Sequence, residues 1–108
     1  TPGTVPTMMT PMFVLFVRFD LPDAAAAAAF DDLVRDTVPD IPAAEPGTLT
    51  YTTPTVNDQP LARIFYEVYR DRAAHADHES RPATSAFLAH IRELRPTVRV
   101  EAAVPMPS

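Results

Sequence analysis

Two histidines stand three residues apart in Arg72-Ala73-Ala74-His75-Ala76-Asp77-His78. On a helix that spacing makes the two imidazoles neighbours, and a ring with an ordinary pKa of about 6.5 takes up or releases a proton at neutral pH. Just upstream, Phe65-Tyr66-Glu67-Val68-Tyr69 sets a carboxyl and a phenol among apolar residues, and Glu45-Pro46-Gly47-Thr48-Leu49-Thr50-Tyr51 is a turn leading to another aromatic hydroxyl. A base, a hydroxyl to steady an anion and aromatic walls suit proton transfer on a flat, apolar molecule. The spacing of His75 and His78 is also compatible with zinc, but two nitrogens need further ligands that no nearby motif supplies. No metal site is expected.

Each of these residues also has a structural reading. Glu67 on an otherwise aromatic face needs a hydrogen-bond partner if buried, and with one it either orients a base or pins a helix to a sheet. His75 and His78 are either proton-transfer groups or a half-exposed polar helix face. Tyrosine is common in sheets. Tyr51 and Tyr69 are the preferred ligand contacts, whereas Tyr66 falls on the other side of the strand alternation. Arg63, Arg70, Arg72 and Arg81 have acids close in sequence and read as surface ion-pair residues. His90 reads as a surface or packing residue.

These side chains need elements to hold them. Met12 to Asp20 is almost wholly apolar and reads as a strand covered on both faces. Asp23 is a candidate N-cap for a helix to Thr37, whose Phe30, Leu33, Val34 and Thr37 share one face, with Pro39 and Pro42 ending it. Thr48 to Val56 reads as one strand and Leu61 to Tyr69 as its return, joined by a turn at Asn57-Asp58-Gln59-Pro60. Asp71 caps a short helix through Glu79, and Pro82 opens another in which Phe87, Ile91 and Leu94 align. Thr97 to Val104 alternates as a last strand. Residues 1–11 read as an extended arm, with Met8 or Met9 a possible native start, and residues 105–108 as a tail.

The order is strand, helix, strand, strand, helix, strand. It predicts one α+β domain over residues 12–104, a ferredoxin-like βαββαβ unit with a four-stranded antiparallel sheet. Its helices cover one face. Val14, Phe16, Ile64 and Tyr66 remain on the other, a patch that predicts a homodimer packed sheet on sheet.

Composition narrows the function. The net charge is −5 and all nine basic residues are arginine, scattered without a run, which argues against nucleic acid or an anionic membrane as partner. The absence of cysteine excludes thiolate metal sites and cysteine nucleophiles. No apolar run nears the roughly 20 residues that span a bilayer, and no signal-peptide pattern opens the chain. A cytoplasmic protein is expected.

From Met12 to Val104 the chain resembles the antibiotic biosynthesis monooxygenase family of the dimeric α+β barrel superfamily. The resemblance is carried by Phe13-Val14-Leu15-Phe16-Val17-Arg18-Phe19, by Glu45-Pro46-Gly47 with Tyr51, by Tyr66-Glu67-Val68-Tyr69 and by His78 in the next helix. The family includes oxygenases that convert anthrones or quinols to quinones with dioxygen and no metal or flavin, besides haem-degrading relatives and an aldehyde isomerase. Two features depart from its pattern: Tyr69 stands where a tryptophan is frequent, and Ala83 follows Arg81-Pro82 where a second histidine is common.

The resemblance implies a cofactor-independent oxygenase for an electron-rich aromatic of the anthrone or hydroquinone type, with dioxygen as co-substrate. His78 would be the base, with His75 at a place where some relatives carry a pocket tyrosine. Tyr51 or Tyr69 would stabilise the anion, and Glu67 would face the cavity. Phe65, Leu15, Phe30, Val34, Phe87 and Ile91 would contact the substrate. An isomerase or cyclase using His78, and a binding protein without chemistry, are the alternatives.

Overall fold

The computed structural model describes residues 11–106, so the arm expected at the amino terminus lies, except for Pro11, outside the described residues. Strand β1 (Phe13–Asp20) is central, pairing antiparallel with β4 (Gln59–Tyr69) on one side and β5 (Thr97–Ala103) on the other. The remaining strands, β2 (Thr48–Thr52) and β3 (Thr55–Val56), pair antiparallel with β4, giving a five-stranded sheet of path β2-β4-β1-β5 with β3 beside it. The α-helices among the described residues are α1 (Ala24–Thr37), α3 (Arg72–Ser80), α4 (Pro82–Glu93) and the single turn α2 (Ile41–Ala44). The α+β, ferredoxin-like order expected from the sequence is present.

Register decides which side chains meet. Phe13, Leu15 and Val17 of β1 lie opposite Tyr69, Glu67 and Phe65 of β4, so all six share the face that the helices cover. Phe16 pairs with Tyr66 and Arg18 with Ile64 on the outer face, where the Phe16 and Tyr66 rings are 5.0 Å apart. Phe16 keeps 42% of its surface exposed. Beneath the helices, Phe65 is the hub of an aromatic core, 4.7 Å from Phe19 and 5.9 Å from Phe87 between ring centres.

Local chemistry sets the ends. The Asp23 carboxylate accepts the Ala26 N–H at 2.8 Å and the Asp71 carboxylate accepts the Ala74 N–H at 2.8 Å, so both expected caps form.

Three expectations need correction. The single strand from Thr48 to Val56 is two, because Pro54 has no N–H to give a ladder; its carbonyl instead accepts the Ile64 N–H at 3.0 Å, and the sheet has five strands rather than four. The turn narrows to Asn57-Asp58, with Asp58 at φ 60, a left-handed position that aspartate tolerates better than most residues. α1 does end at Thr37, as expected, but the connector after it stays helical: Pro39 and Pro42 occupy the first turns of a 3-10 segment, Val38–Asp40, and of α2, where a missing N–H costs nothing.

Arg63 also differs from its surface reading. It is buried, and its guanidinium grips Asp31 of α1 through two bonds of 2.8 and 3.0 Å, fastening that helix to β4. Among the described residues no helix is long and apolar enough to cross a membrane.

Candidate functional site

Between the covered face of the sheet and helices α3 and α4 lies a cavity of about 510 Å³. Its walls are mostly apolar, with Leu15, Val17 and Phe65 from the sheet and Ile91 from α4. Val98 and Val100 of β5 also line it yet remain 48% and 57% exposed. The cavity therefore opens along β5. Six polar side chains also line this largely apolar space: Tyr51, Glu67, His75, His78, Glu79 and Arg92.

His78 is buried on α3, and its Nδ1 lies 2.6 Å from Glu45 Oε1. The Thr48 hydroxyl donates to the same oxygen at 2.9 Å. A carboxylate only accepts, so Nδ1 is the donor to Glu45, and a ring holding one proton in that bond has its lone pair on Nε2. No group among the described residues bonds Nε2 or the Tyr51 hydroxyl, and none of their buried side-chain nitrogens or oxygens is left unpartnered. Nε2 and that hydroxyl must therefore open to void space. The Tyr51 and Tyr69 rings flank the imidazole, each with its centre 5.5 Å away.

Glu67 and Tyr69 form a second pair, the Tyr69 hydroxyl donating to Glu67 Oε1. Burial pushes the Glu67 carboxyl up to about 7; the Tyr69 bond opposes the shift, and the charges of Glu79 and Glu45 add to it. Burial and the adjacent Glu67 hold the Tyr69 phenol far above its ordinary range, and burial with the charges of Glu67, Glu45 and Glu79 does the same to Tyr51. Both tyrosines are thus hydroxyl donors and not phenolates. Tyr69 is committed to Glu67, which leaves Tyr51 as the free hydroxyl in the cavity. Burial lowers the pKa of His75, against the pull of Glu79 3.7 Å away, and His78 and Arg72 lower it further. His75 is therefore a neutral ring at pH 7, packed 5.0 Å from both Phe13 and Tyr69.

The structure brings together all five polar residues singled out in the sequence: His78, His75, Tyr51, Tyr69 and Glu67. Tyr69 stands behind Glu67, fully buried, and does not line the cavity. Of the apolar contacts expected, Leu15, Phe65 and Ile91 line it. Phe30, Val34 and Phe87 do not: Phe30 and Phe87 are packed against the Phe65 ring at 1% and 3% exposure, and Val34 packs against that core from α1. The Phe65 ring that lines the void packs against both Phe30 and Phe87.

Sequence reasoning gave no role to Glu45 and Glu79, nor to Val98 and Val100. Glu45 was visible before Pro46-Gly47, but its partner is 33 residues away. The alternation of β5 does place Val98 and Val100 on one face, without revealing that no helix covers them.

Gly47 holds the Glu45 turn against α3. A Cβ added there would meet the Ala74 Cβ at 2.6 Å, inside any tolerable contact. Gly47→Ala is expected to destabilise the fold by about 1–3 kcal/mol, read by chemical denaturation. Ala74→Gly in the same chain should return most of that loss. A Gly47→Ala protein as stable as wild type would mean that the turn moves freely.

No curated protein sequence matches this chain significantly. Solved structures do. SnoaB of Streptomyces nogalater, a cofactor-independent oxygenase, superposes with a TM-score of 0.77 at 18% identity, covering 92% of this chain and 97% of its own. A Caulobacter crescentus CB15 protein, assigned provisionally as an antibiotic biosynthesis monooxygenase, gives 0.82 at 19% identity, over 92% and 93%. Rv0793 of Mycobacterium tuberculosis gives 0.76 at 25% identity, over 90% and 97%. These likenesses concern the fold. The sequence model of the antibiotic biosynthesis monooxygenases matches residues 12–99, which takes in every polar residue of the cavity, and the chain belongs to that family.

Proposed function

We propose that this protein is a cofactor-independent monooxygenase that oxidises an electron-rich aromatic of the anthrone or hydroquinone type to a quinone with dioxygen. The observation that carries the reading is an imidazole with a free Nε2 at an apolar cavity of about 510 Å³, beside an uncommitted tyrosine hydroxyl. Family membership supports the oxygenase class.

For an anthrone, His78 Nε2 takes a proton from the ring methylene and Tyr51 donates a hydrogen bond to the enolate oxygen. The anion gives two electrons to dioxygen, one carbon–oxygen bond forms and a proton completes a hydroperoxide. Loss of the remaining hydrogen on that carbon, as the O–O bond breaks, leaves the carbonyl and one water. The substrate supplies all the electrons. A homodimer joined through the outer sheet face at Val14, Phe16, Ile64 and Tyr66 is part of the proposal, because Phe16 is exposed there and the other three are only half-buried.

The test is oxygen uptake by flavin-free, chelator-treated protein with a panel of anthrones and hydroquinones, corrected for autoxidation. Enzyme-dependent uptake of one dioxygen per anthrone consumed is expected. No uptake with compounds that demonstrably bind would overturn the proposal. It would favour the isomerase or cyclase that the same proton-transfer groups could serve.

A further inference from the structure

Two voids meet at His78. One is the apolar cavity; the other is a cleft of about 230 Å³ walled by the turn from Glu45 to Thr48, by Arg70, and by Asp77 and Arg81. His78 is the side chain common to both walls, whereas Glu45 faces the cleft alone. The two spaces differ in character. The cavity is mostly apolar, whereas the cleft gathers Glu45, Arg70, Asp77 and Arg81 beside His78. Glu45 joins them: Oε1 meets His78 Nδ1, and Oε2 lies 3.7 Å from the Arg81 guanidinium.

We infer that His78 and Glu45 form a proton relay through the wall between cavity and cleft, Nε2 taking a proton from the molecule in the cavity while Nδ1 hands one to Glu45. This rests on the reading of His78 as the base. A C–H or O–H bond of the bound molecule breaks and leaves its electron pair behind, and an N–H bond forms at Nε2. The Nδ1–H bond breaks as an O–H bond forms at Glu45 Oε1. The ring is again neutral, in its other tautomer, and Glu45 releases its proton to water in the cleft. The reverse sequence returns a proton to the cavity, and nothing is oxidised or reduced. The physical gain is that an imidazolium beside the new anion would recombine with it in an apolar space. Moving the charge through the wall keeps the anion available.

Glu45 is therefore a positioning residue with a second task, and glutamine separates the two. Glu45→Gln retains an oxygen to accept from Nδ1 and Thr48 but cannot accept a proton. The experiment is anaerobic exchange of deuterium from D2O into the methylene of anthrone, corrected for buffer exchange, with wild type, Glu45→Gln and His78→Gln. Wild type is expected to accelerate exchange, and both variants are expected to lose at least tenfold of it. Nitrogen-15 NMR of the ring should meanwhile still report the Nδ1–H tautomer in Glu45→Gln. Exchange by Glu45→Gln within twofold of wild type would overturn the relay while leaving His78 as the base. No acceleration by wild type would overturn the base itself, and the relay with it. If Glu45→Gln does not fold, wild type decides alone. With anthraquinone filling the cavity, the Nδ1 proton should still exchange with water through the cleft, and protection of tenfold or more would refute the relay.

Discussion

His78→Gln is expected to lower turnover of an accepted anthrone by about 10²–10⁴-fold, the contribution typical of a positioned general base, with substrate affinity nearly unchanged. The substitution keeps a polar side chain that can donate toward Glu45, so the buried carboxylate is not stranded. It removes the Nε2 lone pair and little else. In the proposed function binding resides elsewhere, in the cavity walls supplied by Leu15, Phe65, Ile91 and the β5 valines. The measurement is kcat and an independent Kd for each protein by fluorescence or calorimetry. A kcat within threefold of wild type would remove His78 from the chemistry and leave Glu67 as the titratable group of the cavity nearest neutrality. Equal losses in kcat and in affinity would instead point to a damaged pocket.

Glu67 provides the second large effect, on stability. Its carboxyl is held at about 7 against an ordinary value of 4.5. Between those two pH values the folded protein binds more protons than the unfolded chain, so stability falls as pH rises through that window. A shift of that size corresponds to about 3 kcal/mol once both states are ionised. Glu67→Gln cannot ionise, and its amide oxygen can still accept the Tyr69 hydroxyl. The two proteins are therefore expected to be about equally stable near pH 4 and to diverge above it. By pH 8 the variant leads by up to about 3 kcal/mol, roughly 10 °C in Tm for a domain of this size. His75, held below its ordinary value, acts in the opposite direction, losing stability as pH falls through about 6.5, and is common to both proteins. Thermal unfolding at half-unit pH steps measures the difference. Parallel curves from pH 4 to 8 would mean that Glu67 titrates as an ordinary surface acid.

The fate of each expectation follows from the range over which it acts. Asp23 and Asp71 were legible as caps because a cap needs only a side-chain oxygen three residues before an N–H. Period-2 alternation put Phe65, Glu67 and Tyr69 on one face of β4, and the helical spacing of His75 and His78 put both on α3. Pro54 was in plain view within Thr48–Val56, yet its consequence depends on pairing with β4, a partner that local composition does not name. Arg63 looked like a surface residue because its nearby acids are in the turn. The acid it actually meets, Asp31, is 32 positions away on α1.

Local spacing and side-chain chemistry were enough to read the ferredoxin-like order, the alternation of β4 and the polar residues that gather at the cavity, though not the split of Thr48–Val56 or the turn α2. Packing between distant segments set the partner and the burial of each of those residues. It buried the Tyr69 hydroxyl against Glu67, left Tyr51 free, and packed the Phe65 ring that lines the void against Phe30 and Phe87. It also left β5 uncovered and brought Glu45 from 33 residues away to His78 Nδ1. The physical reason is that a carboxyl, phenol or imidazole takes its protonation and its role from burial and from the partner it meets, and both are set by packing between distant segments.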